Sequence, residues 1–148
     1  MVSITQIHAG DAFNVIPPMA ELAGTVRTFM PETRDMVERR IEEICAGVAA
    51  AYGATITPAY HRNYPATVNH PAETDFALDV AAGVVGEKSV DRNMAAMMGG
   101  EDFSFMLLER PGNFIFVGNG DTAGLHHPDY DFNDDCIPLR LLVLDQPR

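Results

Sequence analysis

At 148 residues and 47% hydrophobic, the chain has room for one domain or two small ones with a buried core. A formal net charge of −11 argues against nucleic acid, because phosphate binding needs clustered Lys and Arg, and a lone lysine, Lys88, leaves no polybasic membrane patch. No run approaches the roughly 18 continuous apolar residues of a membrane span, and Met1-Val-Ser-Ile-Thr lacks the features of a signal peptide. The expectation is a cytoplasmic protein with no nucleic-acid or membrane partner, whose two cysteines, Cys45 and Cys136, are buried thiols rather than a disulfide.

In chain order, residues 2–8 are β-branched-rich and stop at Gly10-Asp11, the composition of a strand ending in a turn. The tandem prolines Pro17 and Pro18 bar a central strand just beyond. Residues 21–29 alternate, with Leu22 and Val26 on one face and Glu21, Thr25 and Arg27 on the other, which predicts a second strand antiparallel to the first. Pro31 opens a helix where a missing N–H costs nothing. Val37, Ile41, Ile44, Val48 and Ala51 form a stripe at helical spacing, and Gly53 closes it. Residues 55–61 read as a third strand. Strand, strand, helix, strand is half of a ferredoxin-like pattern without its opening strand and helix.

Residues 62–71 hold two prolines among polar residues and form the expected domain boundary, after which Pro71 begins a helix that runs to Gly86. Met94, Met97 and Met98 read as core filler, and Gly99-Gly100 leads into a short helix over residues 101–110. Phe114-Ile-Phe-Val-Gly118 reads as a buried strand, followed by a polar loop and a last helix capped by Asn133 or Asp134. Several helices with one clear strand imply partner strands outside this sequence.

His126 and His127 are adjacent on the polar loop, so their side chains diverge and at most one ligates a given ion. Asp129, Asp131 and Asp134 stand ready to support it. The competing reading is a surface loop with solvated histidines and capping acids, since zinc needs about three or four protein ligands. Gly99-Gly100 could offer backbone N–H groups to an anion, although Glu101 and Asp102 make that position less hospitable. Arg27 could grip a carboxylate bidentately or simply form a cross-strand ion pair. Asn14 could donate to a developing oxyanion or satisfy a turn. Glu42-Glu43 resembles a carboxylate pair of a dinuclear hydrolase, but its place on the amphipathic helix turns both side chains to water.

Taken together, Ile7-His-Ala-Gly-Asp-Ala-Phe-Asn-Val-Ile-Pro17, Gly24-Thr-Val-Arg-Thr28, Tyr64-Pro-Ala-Thr-Val-Asn69, Met98-Gly-Gly-Glu-Asp-Phe103 and Leu125-His-His-Pro-Asp-Tyr-Asp-Phe-Asn-Asp134 resemble the amidohydrolase branch of the aminoacylase/carboxypeptidase metallopeptidases, which includes hippurate hydrolase. The resemblance covers nearly the whole chain, with the motifs in the family's order. It implies an α/β (α+β) protein in which residues 1–68 are part of a ferredoxin-like lid and dimerisation domain. Residues 69–148 are then the C-terminal part of a catalytic domain that holds two divalent ions, whether Zn, Mn, Co or Ni.

By the same resemblance, His126 is a metal ligand, with His127 where the family usually has Ser or Asn. Asn14 is the lid asparagine that approaches the reacting carbonyl, Arg27 is the lid arginine that binds the substrate carboxylate, and Gly99 and Gly100 line the floor of the substrate site. The family's Cys-Gly-His-Asp segment, its Glu-Glu pair and a further histidine segment have no counterpart, and residues 139–145 drift from the usual alanine-rich last helix. The expectation is therefore a C-terminal fragment: a metal-dependent amidohydrolase of N-acyl amino acids by descent, inactive alone and a homodimer through the lid. The rival reading is a non-catalytic dimerisation or binding module derived from that lid. An independent metallohydrolase using His8, His61, His70 and His126 would need residues scattered over both segments.

Overall fold

The computed structural model describes residues 1–144. The elements run β1 (Val2–Ala9), β2 (Ala20–Val26), α1 (Pro31–Tyr52), α2 (Pro71–Val85), a 3-10 turn (Glu87–Ser89), α3 (Phe103–Glu109) and α4 (Cys136–Leu144), an α+β arrangement. The chain forms two compact units. The first is Met1–Ala66 with Met97–Glu101; the second is Thr67–Ala96 with the described chain from Asp102 on.

In the first unit β1 and β2 pair antiparallel, as their alternation predicts, from Val2↔Val26 to Ala9↔Ala20, with a bulge between Ile4 and Gln6. The ladder continues past β2: the Arg27 N–H donates to Met1 O at 2.9 Å and the Met1 amine donates to Arg27 O at 2.8 Å. The backbone of Arg27 is thereby fixed. Pro31 starts α1 and Gly53 ends it, in the left-handed region at φ 64°, where a Cβ would be strained. The N–H groups of Gly53 and Ala54 both turn back to Ala49 O, which satisfies a carbonyl the helix leaves open. Arg62 fastens the chain after α1 to that helix, 2.7 Å from Asp35 and 2.8 Å from Glu38.

In the second unit α2 packs against both α4 and the 3-10 turn. Arg92 holds that turn, 2.7 Å from Glu87 and 2.9 Å from Asp79. Its hydrogen bond keeps the Glu87 carboxyl below the usual carboxylate range. Among the described residues, burial is confined to Ser104 and Leu107 of α3 and Cys136 at the start of α4, at 1%, 6% and 7% exposure. The rings of Phe103, Phe114 and Phe116 form an aromatic series that starts on α3 and ends at the exposed Phe116, with centroids 5.6 and 5.4 Å apart. Both cysteines are free, Cys136 buried and Cys45 half-buried.

Several expectations need correction. Residues 55–61 form no strand, and neither do residues 114–118, which are largely exposed rather than buried. A strand exists only beside a partner, and among the described residues neither stretch has one. The ferredoxin-like half-pattern is therefore present only as strand, strand and helix. The α1 stripe buries nothing fully, and Ile44 and Val48 remain exposed. Met94, Met97 and Met98 are exposed rather than core filler. The expected strand over 21–29 stops at Val26, and the short helix begins at Phe103, not at residue 101. The end of the last segment, from Asp145, lies outside the described residues.

What replaces a partner strand for residues 112–114 is a pair of side chains from the segment before α2. Asn69 donates to Phe114 O at 2.9 Å and accepts from Phe114 N–H at 2.8 Å. His70 completes the match: its N–H donates to Gly112 O at 3.1 Å, and its Nδ1 accepts from Gly112 N–H at 3.2 Å. Asn69→Ala leaves two part-buried backbone groups unpaired, which costs about 1–3 kcal/mol. The expected outcome is a lower urea midpoint by circular dichroism; a midpoint equal to that of the parent chain would show that this pairing contributes nothing.

Candidate functional site

Within the first unit, two of the candidate residues meet. The guanidinium of Arg27 lies against the Cα of Gly100, so a Cβ built there would collide with Nη1 and sit 3.1 Å from Cζ. Glycine at position 100 thus leaves room for this guanidinium, and a Cβ there would require the end of the Arg27 side chain to move. Arg39, Arg40, Arg62 and Arg92 all pair with carboxylates. Arg27 forms no such pair among the described residues, and its cross-strand neighbour is Met1 rather than an acid. The pairing places Glu21 opposite His8 instead. The outcome is a half-buried cation packed against the backbone of Gly100.

Gly99 has open space at its Cβ position. Neither glycine opens the following helix directly, since α3 begins at Phe103 and spans 7 residues. The idea of an anion held at that helix terminus is therefore set aside. Asn14 lies in the exposed loop between β1 and β2 and makes no side-chain hydrogen bond among the described residues, so it does not satisfy the turn. A cleft of about 450 Å³ at the end of the β1–β2 pair is lined by Ile7, His8, Asp11, Met19 and Glu21, and contains none of Asn14, Arg27, Gly99, Gly100 and His126. Glu43 pairs with Arg40 at 2.5 Å on exposed α1, so Glu42-Glu43 faces water as its helical position predicts.

In the second unit the polar loop separates its two histidines. The Nδ1 of His127 accepts from the Asp129 N–H at 3.1 Å, and the Asp129 carboxylate lies 3.7 Å away. That ring is committed to its own loop. His126 is exposed, and its imidazole makes no hydrogen bond among the described residues. Its backbone sits at φ 68°, and it is the one non-glycine residue at positive φ among those described. For a side chain bearing a Cβ this conformation costs about 1–2 kcal/mol, which the surrounding bonds must offset.

Those bonds centre on residues that carry only turn signals in the sequence. Asn119 donates to Asp131 O at 2.6 Å and to Thr122 Oγ1 at 3.1 Å, and accepts from Asn133 N–H at 2.7 Å. Asn133 in turn accepts from Asp135 N–H at 3.0 Å, which closes the turn ahead of α4 rather than capping the helix itself, since α4 begins only at Cys136. The Cys136 thiol donates to Gly118 O at 3.1 Å. An asparagine between two glycines at the end of an apolar run is the only sequence signal that could have singled out Asn119.

Among the described residues, no three of His, Cys, Asp and Glu converge as a metal set. His8, His61, His70 and His126 therefore do not form an independent centre. What the chain offers is one uncommitted imidazole on a bonded loop, which fits a single ligand of a shared ion and does not by itself fit a complete site.

Known proteins resemble this chain closely. It is 37% identical over 137 residues to hippurate hydrolase of Campylobacter jejuni, covering 93% of this chain and 36% of that protein. It is 34% identical over 139 residues to N-acetylcysteine deacetylase of Bacillus subtilis, covering 94% of this chain and 36% of the relative. The chain thus spans little more than a third of the length of these relatives. The crystal structure of the Bacillus subtilis YXEP protein, a dinuclear metal-binding peptidase from the M20 family, superposes with a TM-score of 0.72 at 34% identity. That match covers 96% of this chain and 38% of the other. The family model of peptidases M20/M25/M40 matches residues 4–146. Sequence, fold and extent of match agree, and the chain belongs to peptidase family M20/M25/M40.

Proposed function

We propose that this chain is the substrate-reading and late metal-ligating part of a metal-dependent amidohydrolase that cleaves N-acyl amino acids. In this reading residues 1–68 form part of a ferredoxin-like lid through which the protein dimerises, and residues 69–148 form the C-terminal part of the catalytic domain. The observation that carries the proposal is Arg27, a half-buried cation without an acidic partner among the described residues, set against the backbone of Gly100. Hippurate and N-acetylcysteine, the substrates in the names of two relatives, share an acylated nitrogen beside a free carboxylate. A guanidinium is the natural grip for that carboxylate.

Each residue then has a distinct task. Arg27 orients the substrate by its carboxylate, while Gly99 leaves the floor open and Gly100 gives the guanidinium room to lie against it. Asn14, whose amide is uncommitted among the described residues, donates to the carbonyl oxygen as that oxygen gains charge. His126 gives one neutral imidazole to an ion. When bound, two divalent ions supply the charge that polarises the amide carbonyl and lowers the pKa of water. The rival is a non-catalytic module derived from the lid.

Three measurements test the proposal. The 148-residue chain alone is expected to hydrolyse hippurate and N-acetyl amino acids on the order of 100-fold or more below an intact enzyme, because it lacks most of the charge that stabilises the transition state. Robust, chelator-sensitive turnover by the isolated chain would falsify that expectation.

Metal content separates enzyme from module. The full-length protein should hold two ions per chain; His126→Ala should lose metal and rate, and His127→Ala, whose ring serves its own loop, should change little. Equal metal content in the two variants rules out the His126 assignment, and a metal-free parent protein favours the module.

Arg27→Ala should raise KM by about 10-fold or more for substrates with a free carboxylate and leave their amidated analogues nearly unaffected. If both substrate types suffer equally, Arg27 is a structural residue of the ladder.

A further inference from the structure

The loop that presents His126 is held at its base by the Asn119 amide, with the Cys136 thiol bonding Gly118 O just outside it. All three hydrogen bonds made by the Asn119 amide bridge one end of the loop to its interior or to its other end: Asp131 O, 12 residues away, Asn133 N, 14 residues away, and Thr122 Oγ1. Both amide protons and the oxygen are used, so the side chain has one orientation that satisfies everything around it. Within the closed loop, His127 N–H donates to Gly124 O at 3.1 Å and Tyr130 N–H to His127 O at 3.0 Å, on either side of the left-handed backbone at His126. A flexible loop of this length would release His126 from that unfavourable conformation unless its ends were held.

We propose that Asn119 is a positioning residue. Its amide fixes the two ends of the loop, and thereby the backbone at His126 that presents the imidazole to a divalent ion. This rests on the reading of His126 as a metal ligand. Asn119 itself does not touch the ion; its contribution is to remove the conformational freedom that His126 would otherwise lose on binding. The same amide cannot be replaced by a carboxylate of equal size, because Asp would bring an acceptor to the Asp131 carbonyl where Asn brings a donor.

The test measures zinc affinity by competition with a chromophoric chelator, together with thermal stability, on the full-length protein and its N119A, N119D, H126A and N119A/H126A variants. N119A and N119D are expected to weaken zinc binding by about 10-fold. In the H126A background, already weakened, N119A should cause no further loss, because both changes act through the same imidazole. Thr122→Ala, which leaves the two bonds spanning the loop intact, should stay within about 2-fold of the parent affinity. A structural role alone predicts a different pattern: a lower melting temperature with parental zinc affinity, or an equal loss with and without His126. Either outcome overturns the proposal while leaving His126 as a ligand. Parental zinc affinity in H126A, or no zinc binding by the full-length protein, overturns the ligand reading and the positioning role with it.

Discussion

The backbone groups of an extended segment are satisfied only when something lies beside them, and that constraint governs where this chain is ordered as sheet. Among the described residues it is met once in full, by β1 and β2, and the ladder carries on to Met1 and Arg27. Elsewhere the chain improvises. Residues 112–114 have no neighbouring strand among those described, yet the Asn69 amide and the His70 backbone and ring offer them donors and acceptors at strand-like spacing. An amide side chain is a copy of a peptide group, which is why asparagine can stand in for a strand across one residue and no further. The same substitution recurs at Asn119, whose amide bonds the backbone at residues 131 and 133. Two asparagines thus do work that a sheet would otherwise do.

This constraint also explains which parts of the fold could be read from the sequence. The helices could, because their signals are local: Pro31 and Pro71 each fix the first turn, and Gly53 and Gly86 follow the last. The pairing of β1 with β2 could as well, since the two runs are close in sequence and both alternate. Residues 55–61 and 114–118 carry strand composition of similar quality, but composition states a capacity and not the presence of a partner. The α1 stripe makes the same point for helices. Periodicity gives the face that can be buried, while Ile44 and Val48 show that nothing among the described residues fully covers it. The core that does form, around Leu107 and Cys136, lies on the two shortest helices, where periodicity has too few turns to register.

The candidate site residues divide in the same way. Arg27, Gly100 and His126 are legible because their motifs resemble a family, and the family membership itself is secure. How they are held is not legible. Apart from the family resemblance, composition and spacing do not distinguish His126 from His127. Their difference arises from hydrogen bonds, since the Asp129 N–H occupies one ring and leaves the other without a partner among the described residues. Nor does sequence spacing say that a guanidinium from residue 27 lies where a Cβ of residue 100 would be. Asn119, flanked by Gly118 and Gly120, reads only as turn punctuation.

Charge sets a last condition on the proposed substrate. A chain with a formal net charge of −11 repels a carboxylate at long range. That repulsion is screened over about 8 Å at physiological ionic strength, so it slows encounter more than it weakens a bound pair. Recognition of an anion on such a surface must therefore be local and short-ranged. A bidentate guanidinium meets this requirement: its two parallel hydrogen bonds act only in contact, and they strengthen as water is excluded. Most of the paired arginines in this chain sit on exposed positions, where their partners are also hydrated and the net gain is small. Arg27 differs in being half-buried, in having its backbone pinned by Met1, and in resting on a glycine. Less of its entropy remains to be lost when a carboxylate arrives, and no internal acid among the described residues must first be displaced. In the proposed reading, discrimination against substrates without a carboxylate then follows from losing this short-range pair on a half-buried cation.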